Sequence, residues 1–424
     1  MSPDTGFHAL EDGEAQIGCG PLIQSYESTP RSLRIQVFDR VRAAGLISRA
    51  DLAKDLGVSP ASVTSVVSEL IETGMVHEVA TPKREGESNR GRPPVALGVR
   101  PEAGYVAGLK LSDHRHAAII TDFAGNTIAE AEIRHGVLQQ ETEMVIRDVV
   151  RLLDDALAQA GLTQTDLSAI GLGLPGVVDS ATGQVMWSPL MREQGIALGP
   201  TLEELLGRPV RVDNDANLVT LAELWFGAGR ARSDFAVVTI EHGVGMGVVI
   251  NHRLYRGAMG LGLEIGHTKV QLDGALCRCG QRGCLEAYVA DYALVREATT
   301  ALNWGNRGVQ SQQILLESLY DHAKAGNQSA RAIFKRAGRY LALGLANIVN
   351  LFDPALILLS GERMRYDYLY AEEVLAAMRD MTLETNRPAP VVEIRAWGDQ
   401  VWARGAAALA LETATEIALR PEEV

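Results

Sequence analysis

Glu264-Ile265-Gly266-His267, followed ten residues after the histidine by Cys277-Arg278-Cys279-Gly280-Gln281-Arg282-Gly283-Cys284-Leu285-Glu286, is the stretch that organises this 424-residue chain. Three thiolates and one imidazole satisfy a tetrahedral zinc ion, and Gly280 and Gly283 let the intervening chain fold tightly around it. The fourth cysteine, Cys19, stands far away near the N-terminus, so neither a disulfide framework nor an all-cysteine iron–sulfur site is indicated. The alternative is a chance cluster of thiols in a reducing cytoplasm. With His267, Cys277, Cys279 and Cys284 filling all four positions, one structural zinc per chain is expected, with no open position for hydrolysis.

Upstream stands Asp213-Asn214-Asp215-Ala216-Asn217, just before a helical pattern carrying Leu221 and Leu224. Carboxylates and carboxamides together suit a polyhydroxylated ligand, whose hydroxyls each donate and accept; the same run also reads as a redundant helix cap. Glu264 lies three residues before His267, so fixing the histidine on a metal helps fix the carboxylate. Gly243-Val244-Gly245-Met246-Gly247 either cradles phosphate or closes a tight hairpin. Around these motifs strands are predicted at 105–111, 117–122, 167–174, 237–240, 247–250 and 355–359, with helices at 144–160 and 340–350. Two successive units, each a hairpin followed by β-α alternation, predict a two-lobed α/β body with a cleft between lobes.

The N-terminal part differs. Residues 1–30 are rich in Gly, Pro, Ser and acids without periodicity and read as a flexible tail. Leu33, Val37 and Val41 then step along one helix, and Ser48 with Asp51 opens a second. Ser59-Pro60 opens a third that buries Val63, Val66, Val67, Leu70 and Ile71. The opposite face offers Ser59, Ala61, Ser62, Thr64 and Ser65, small side chains that let a helix approach the floor of a DNA major groove. A generic three-helix bundle has the same pattern. Strands expected at 75–79 and 95–99 enclose a polar loop, however, which makes a winged helix-turn-helix. In that loop Arg90-Gly91-Arg92 suits a narrow minor groove, with a solvated linker as the plainer reading. Net charge is −13, yet residues 31–98 carry +2 and the remainder −15, a distribution that permits DNA binding by the small module. No apolar run is long enough for a membrane helix and no signal peptide is indicated, so the expected compartment is the cytoplasm.

In combination these residues resemble the ROK family (repressors, open reading frames and kinases), and within it the regulators with an N-terminal winged helix. The resemblance covers residues 31–415 and rests most specifically on the Glu264–His267 and Cys277–Glu286 motifs, supported by 171–179, 213–217 and the run from Gly344-Leu345-Ala346-Asn347 to Asp353-Pro354. It implies an actin-like sugar-kinase fold, a sugar in the cleft, and the zinc site. By position it implies that Asn214, Asp215, Glu264, His267 and Glu286 contact sugar hydroxyls, His267 serving metal and ligand through its two ring nitrogens.

Kinases of this family hold nucleotide phosphates with an acidic residue, two glycines, Thr and Lys in the first hairpin. Those places here are Lys110, Ser112, Asp113, His114 and Arg115, and the Gly-Thr of the second phosphate loop is Glu241-His242. A carboxylate beside a triphosphate costs on the order of 1 kcal/mol at ~4 Å even in water. Asp215 keeps the place of the general base, but a base without a phosphoryl donor transfers nothing. The expectation is a non-enzymatic, sugar-responsive transcriptional regulator, a repressor, binding double-stranded operator DNA and a sugar or sugar phosphate as a homodimer or a tetramer, with no membrane partner. The alternative is an active ATP-dependent sugar kinase fused to a DNA-binding module. The expected organisation is a tail at 1–30, the winged helix at 31–100, a first lobe at 101–217 plus 396–424, and a second lobe at 218–395 with the zinc site and dimer interface.

Overall fold

The computed structural model describes residues 18–22, 32–80, 95–134, 139–258, 260, 262–304, 311–361, 372–383, 388–395 and 400–420. Its first module contains α1 (Leu33–Ala44), β1 (Ile47–Ser48), α2 (Arg49–Leu56), α3 (Pro60–Glu72), β2 (Val76–Ala80) and β3 (Val95–Val99), the strands forming an antiparallel sheet in the order β1-β3-β2. Serine hydroxyls set the helix starts. Ser32, Ser48 and Ser59 accept from the backbone N–H groups of Ile35, Asp51 and Ser62. Val37, Phe38, Val41, Leu52, Val63, Val67, Leu70 and Leu97 close the core of this winged helix with no exposed surface. The tip of the wing, with Arg90 and Arg92, lies outside the described residues.

The first lobe follows with β4 (Tyr105–Lys110), β5 (Arg115–Asp122), β6 (Thr127–Arg134), α4 (Thr142–Ala160), β7 (Leu167–Leu174), the ribbon β8 (Val177–Asp179) and β9 (Gln184–Trp187), α5 (Leu198–Leu206) and β10 (Val210–Asn214). Helix α6 (Asp215–Phe226) leads into the second lobe: β11 (Phe235–Ile240), β12 (Val244–Ile250), β13 (Arg253–Tyr255), α7 (Glu286–Val289), α8 (Asp291–Ala301), α9 (Gln312–Lys324), α10 (Gln328–Phe352), β14 (Leu356–Ser360), α11 (Glu372–Met381) and β15 (Val391–Arg395). The chain then returns through α12 (Val401–Ala418) to pack on β4, β7 and α6.

The two five-stranded sheets have one topology. Their orders, β6-β5-β4-β7-β10 and β13-β12-β11-β14-β15, each place the third, second, first, fourth and fifth strand of the sheet, in chain order, side by side. In each the first three strands are antiparallel and the last two parallel, so the lobes are structural repeats. Between them α6 and α12 cross at unusually close range, because a Cβ on Gly405 would stand 1.9 Å from the Leu218 carbonyl oxygen. Gly171 of β7 leaves the same kind of room for Ala406 of α12.

Three expectations are modified. The tail is not wholly apart from the fold: residues 18–22 run through the seam between winged helix and body. There Cys19 N–H donates to Arg42 O at 3.1 Å, Gly20 N–H to Trp225 O at 2.8 Å and Leu22 N–H to Arg230 O at 2.8 Å. These backbone bonds, with Cys19 3% exposed, compensate for the lack of any local periodicity. The lobe boundary expected at 217 falls inside α6, an unbroken helix that touches both sheets. The helix expected at 340–350 starts at Gln328, because Ala330, Ile333, Phe334 and Ala337 extend its buried stripe upstream.

Gly405→Ala is expected to destabilise the protein by about 1–3 kcal/mol, the usual range for overpacking a tight contact. Denaturant unfolding of the two proteins side by side checks this.

Candidate functional site

The short turn of Ile265–His267 and the loop before α7 bring His267, Cys277, Cys279 and Cys284 together, every ligand atom within 4.8 Å of the others. Sγ of Cys277 lies 3.7 Å from Nδ1 of His267, and Sγ of Cys279 lies 3.7 Å from Sγ of Cys284. A tetrahedral ion with sulfur at ~2.3 Å and nitrogen at ~2.0 Å sets adjacent ligands about 3.5–3.8 Å apart, so the donor set fits a metal ion. Nδ1 faces the sulfurs, which leaves Nε2 as the histidine's other ligating nitrogen.

Two neighbours were not legible in the sequence. Lys269 Nζ lies 2.9 Å from Cys284 Sγ, and Tyr292 O–H donates to Cys277 Sγ at 3.5 Å. Three thiolates on a divalent ion leave a net negative charge, which an ammonium beside a sulfur offsets. The sulfur in turn holds the Lys269 ammonium above its ordinary pKa. Nothing in the spacing of a lone lysine announces this role.

The second group surrounds the N-terminus of α6. Asn214 Oδ1 caps the helix by accepting from Asn217 N–H at 2.9 Å, and its Nδ2 donates to Gly176 O at 3.4 Å. Asp213 is fully used by the protein. Its Oδ1 accepts from Asn214 N–H and Asn217 Nδ2, and its Oδ2 accepts from Arg256 Nε at 2.7 Å. Arg256 is therefore a further positioning residue, which its place in an unremarkable hairpin concealed. Asn214, Asn217, Gly176 and Val177 face Gly260, Gly262, Leu263 and Glu264 across a narrow cleft.

Carboxylates gather at this cleft. Burial pushes the Glu264 carboxyl up; His267 pulls it down, while Asp215 and Glu286 push it further up. Burial likewise raises Asp215, opposed by the Lys110 ammonium and by the Ala216 N–H. Glu286 Oε2 accepts from Val244 N–H at 3.4 Å and its Oε1 from Tyr292 O–H at 3.3 Å. The structure thus brings Asp215, Glu264, His267 and Glu286 into one electrostatic neighbourhood, with Asn214 at its edge.

The glycine run resolves toward packing. Gly245 and Gly247 lie within β12, where a Cβ on Gly247 would stand 2.1 Å from Thr220 Oγ1 of α6. The turn of the first hairpin is knotted by side chains: Ser112 Oγ donates to Arg115 O at 2.5 Å, and Ser112 N–H donates to His116 Nδ1 at 3.2 Å. Lys110 Nζ stands 3.4 Å from the centre of the Trp402 ring. The backbone N–H groups of Ser112 and Arg115 are thus occupied by side chains of the same turn.

On the winged helix, Ser59, Ala61, Ser62, Thr64 and Ser65 are all exposed, opposite the buried Val63, Val67 and Leu70. Thr64 Oγ1 donates to Pro60 O at 2.8 Å, and Ser59 and Ser62 share a hydroxyl pair at 2.8 Å. Among the described residues no helix is long and apolar enough to cross a membrane.

Replacing Cys279 by serine is expected to lower bound metal and melting temperature together, read by elemental analysis and thermal unfolding of the same preparation. Asp215→Asn is expected to stabilise the ligand-free protein at neutral pH. A carboxyl raised by burial ionises at a cost as pH climbs through its folded-state pKa, so the gain in melting temperature should vanish toward pH 4.

The geometry agrees with what similar proteins show. The chain is 29% identical to the xylose repressor of Caldicellulosiruptor bescii over 78% of this chain and 82% of the relative. A crystal structure of a ROK family transcriptional regulator, homologous to the Mlc protein of E. coli, superposes with a TM-score of 0.74 at 26% identity, covering 91% of this chain and 96% of that one. A ROK glucokinase from Streptomyces griseus, solved with glucose and AMPPNP, matches 73% of this chain and 100% of its own at 28% identity and TM-score 0.62. The ROK family model matches residues 106–413, nearly the whole two-lobed body. With a two-lobed repeat, a polar cleft at the start of α6 and a Cys3His cluster behind it, this chain belongs to the ROK family.

Proposed function

We propose that this protein is a sugar-responsive DNA-binding transcriptional regulator, a repressor, whose kinase-like body binds a sugar without phosphorylating it. One observation carries the reading. The carboxylates of Asp215, Glu264 and Glu286 still converge on the cleft, whereas the places of the kinase phosphate loops carry the side chains of Lys110, packed over Trp402, and of Asp113, His114 and His242. Carboxylates that accept from sugar hydroxyls remain; a seat for a nucleotide does not. The regulator and the xylose repressor similar to this chain support the same assignment.

In this reading Asn214, Asp215, Glu264, Glu286 and Nε2 of His267 contact sugar hydroxyls. Zinc fills the Cys3His cluster and holds the turn that carries Glu264, supplying rigidity and no chemistry at the sugar. A homodimer presents two copies of α3 to operator half-sites about 34 Å apart, where a shift of lobes changes how well both engage. Ser59, Ala61, Ser62, Thr64 and Ser65 approach the major groove, and Arg90 and Arg92 of the wing reach the minor groove.

A second reading, an active kinase, is favoured by Asp215 at the general-base place and by the likeness to the S. griseus glucokinase. Sustained ADP release with ATP, Mg²⁺ and a sugar panel decides for it; none is expected. For the proposal, a thermal-shift screen across pentoses, hexoses and their N-acetyl forms identifies the effector, since a ligand at about 100 times its Kd adds ~2.7 kcal/mol. A gel-shift titration at fixed salt then reads operator affinity with and without that sugar. Asp215→Asn is expected to keep operator binding and lose the sugar response; an affinity indifferent to every stabilising sugar overturns the coupling.

A further inference from the structure

The two hairpin turns that correspond in the two lobes meet across the cleft. Asp113 and His114 lie on the β4–β5 turn, and His242 lies on the β11–β12 turn, which is its counterpart in the repeat. Asp113 Oδ2 stands 3.5 Å from Nε2 of His114 and 3.4 Å from Nε2 of His242. The two imidazoles meet edge to face with centroids 5.5 Å apart, and all three ligand atoms lie within 4.8 Å of one another.

These separations are long for hydrogen bonds, whose N···O distance centres near 2.9–3.0 Å. The two carboxylate–imidazole separations match edges of a coordination tetrahedron, and the two imidazoles offer ligand nitrogens within 4.8 Å of each other. Metal–nitrogen and metal–oxygen bonds of ~2.0–2.2 Å place adjacent ligands about 3.3–3.5 Å apart. We propose that Asp113, His114 and His242 form a second metal site, separate from the Cys3His cluster, that takes a borderline divalent transition-metal ion and ties the two lobes together.

The donor set selects the ion class. Two imidazoles and one carboxylate suit zinc, cobalt, nickel or copper, whereas magnesium and calcium demand oxygen ligands. Both turns are already fixed without the ion. Ser112 clasps the first through Arg115 O, and the Glu241 N–H donates to Gly243 O at 2.9 Å in the second. The backbone of both turns therefore needs little further ordering to bind, and the cost falls on the three side chains. With side chains between a quarter and two thirds exposed, the ion reaches the site directly from solvent, and water takes the fourth position. The site is therefore open and exchangeable, unlike the closed cluster near α7.

One ligand pair comes from the first lobe and one ligand from the second, so occupancy favours whichever lobe arrangement holds the three together. A sugar in the same cleft that favours that arrangement binds the metal-loaded protein more tightly, and the effect is reciprocal.

The test uses the full chain with its Cys3His site already loaded, dialysed against Co²⁺ and separately against Ni²⁺, with metal counted per chain. Wild type is expected to take up a second equivalent, and the Co²⁺ form to gain visible bands without further sulfur-to-metal charge transfer. His242→Ala alone, and Asp113→Asn alone, should each lose that equivalent entirely while retaining the first, with unchanged circular dichroism. Loss in both variants from opposite lobes marks a shared site. Wild type holding only one equivalent, or a second equivalent that survives in either variant, overturns the proposal.

Discussion

The close crossing of α6 and α12 is the constraint from which the rest of the molecule follows. Two sheets of equal topology need a common layer between them, and these two helices provide it by approaching to within backbone contact at Gly405 and Leu218. The same helix α6, about 18 Å long for its 12 residues, carries functional groups at both ends. Its N-terminus holds Asn214, Asp215 and Asn217 at the cleft. Its C-terminal turn holds Trp225, whose carbonyl accepts from Gly20 and whose ring lies 4.6 Å from the Arg42 guanidinium of α1. The ligand cleft and the DNA-binding module therefore share one rigid element.

The seam at the far end is unusually polar for a buried junction. Arg42 lies 4% exposed, donating to Thr415 Oγ1 of α12 at 2.8 Å and to Asp39 Oδ1 at 2.8 Å. Arg230 donates through Nε to Gly20 O at 3.0 Å and through Nη2 to Ala43 O, joining the residue 18–22 segment to α1. Burial pushes the Cys19 thiol up to about 11, which keeps it neutral and inert in this setting. These directional hydrogen bonds are set into an apolar core that runs unbroken from Val37, Phe38 and Val41 of the winged helix to Phe123, Trp225 and Leu419 of the body, and they favour one orientation of the two.

At the near end, electrostatic tension is part of the design. Burial and the neighbouring Asp215 and Glu286 all push the Glu264 carboxyl up, with His267 as partial compensation, and burial pushes Asp215 up against the pull of Lys110. A closed core has no use for such an arrangement, whereas a cleft open to a polar ligand can tolerate it. The Cys3His cluster stands behind it, and the turn from Glu264 to His267 is short enough that the place of His267 in the cluster fixes the place of Glu264 at the cleft.

The sequence by itself determined a good deal: the serine-capped helices of the winged module, the two hairpin-led units, the Cys3His ligand set and the polar run before α6. Each of these is written in local spacing, because caps, strand alternation and ligand repeats act over a few residues. Only the tertiary structure decided that Gly245 and Gly247 make room for α6, that Asp213 belongs to Arg256, that Lys269 stands beside Cys284, and that Asp113 and His114 face His242. Residues 18–22 likewise gain their place from partners more than twenty to two hundred positions away. Contacts of that range carry no periodic signature in the chain, since they arise when the two repeats close on the central helices and set distant side chains against each other.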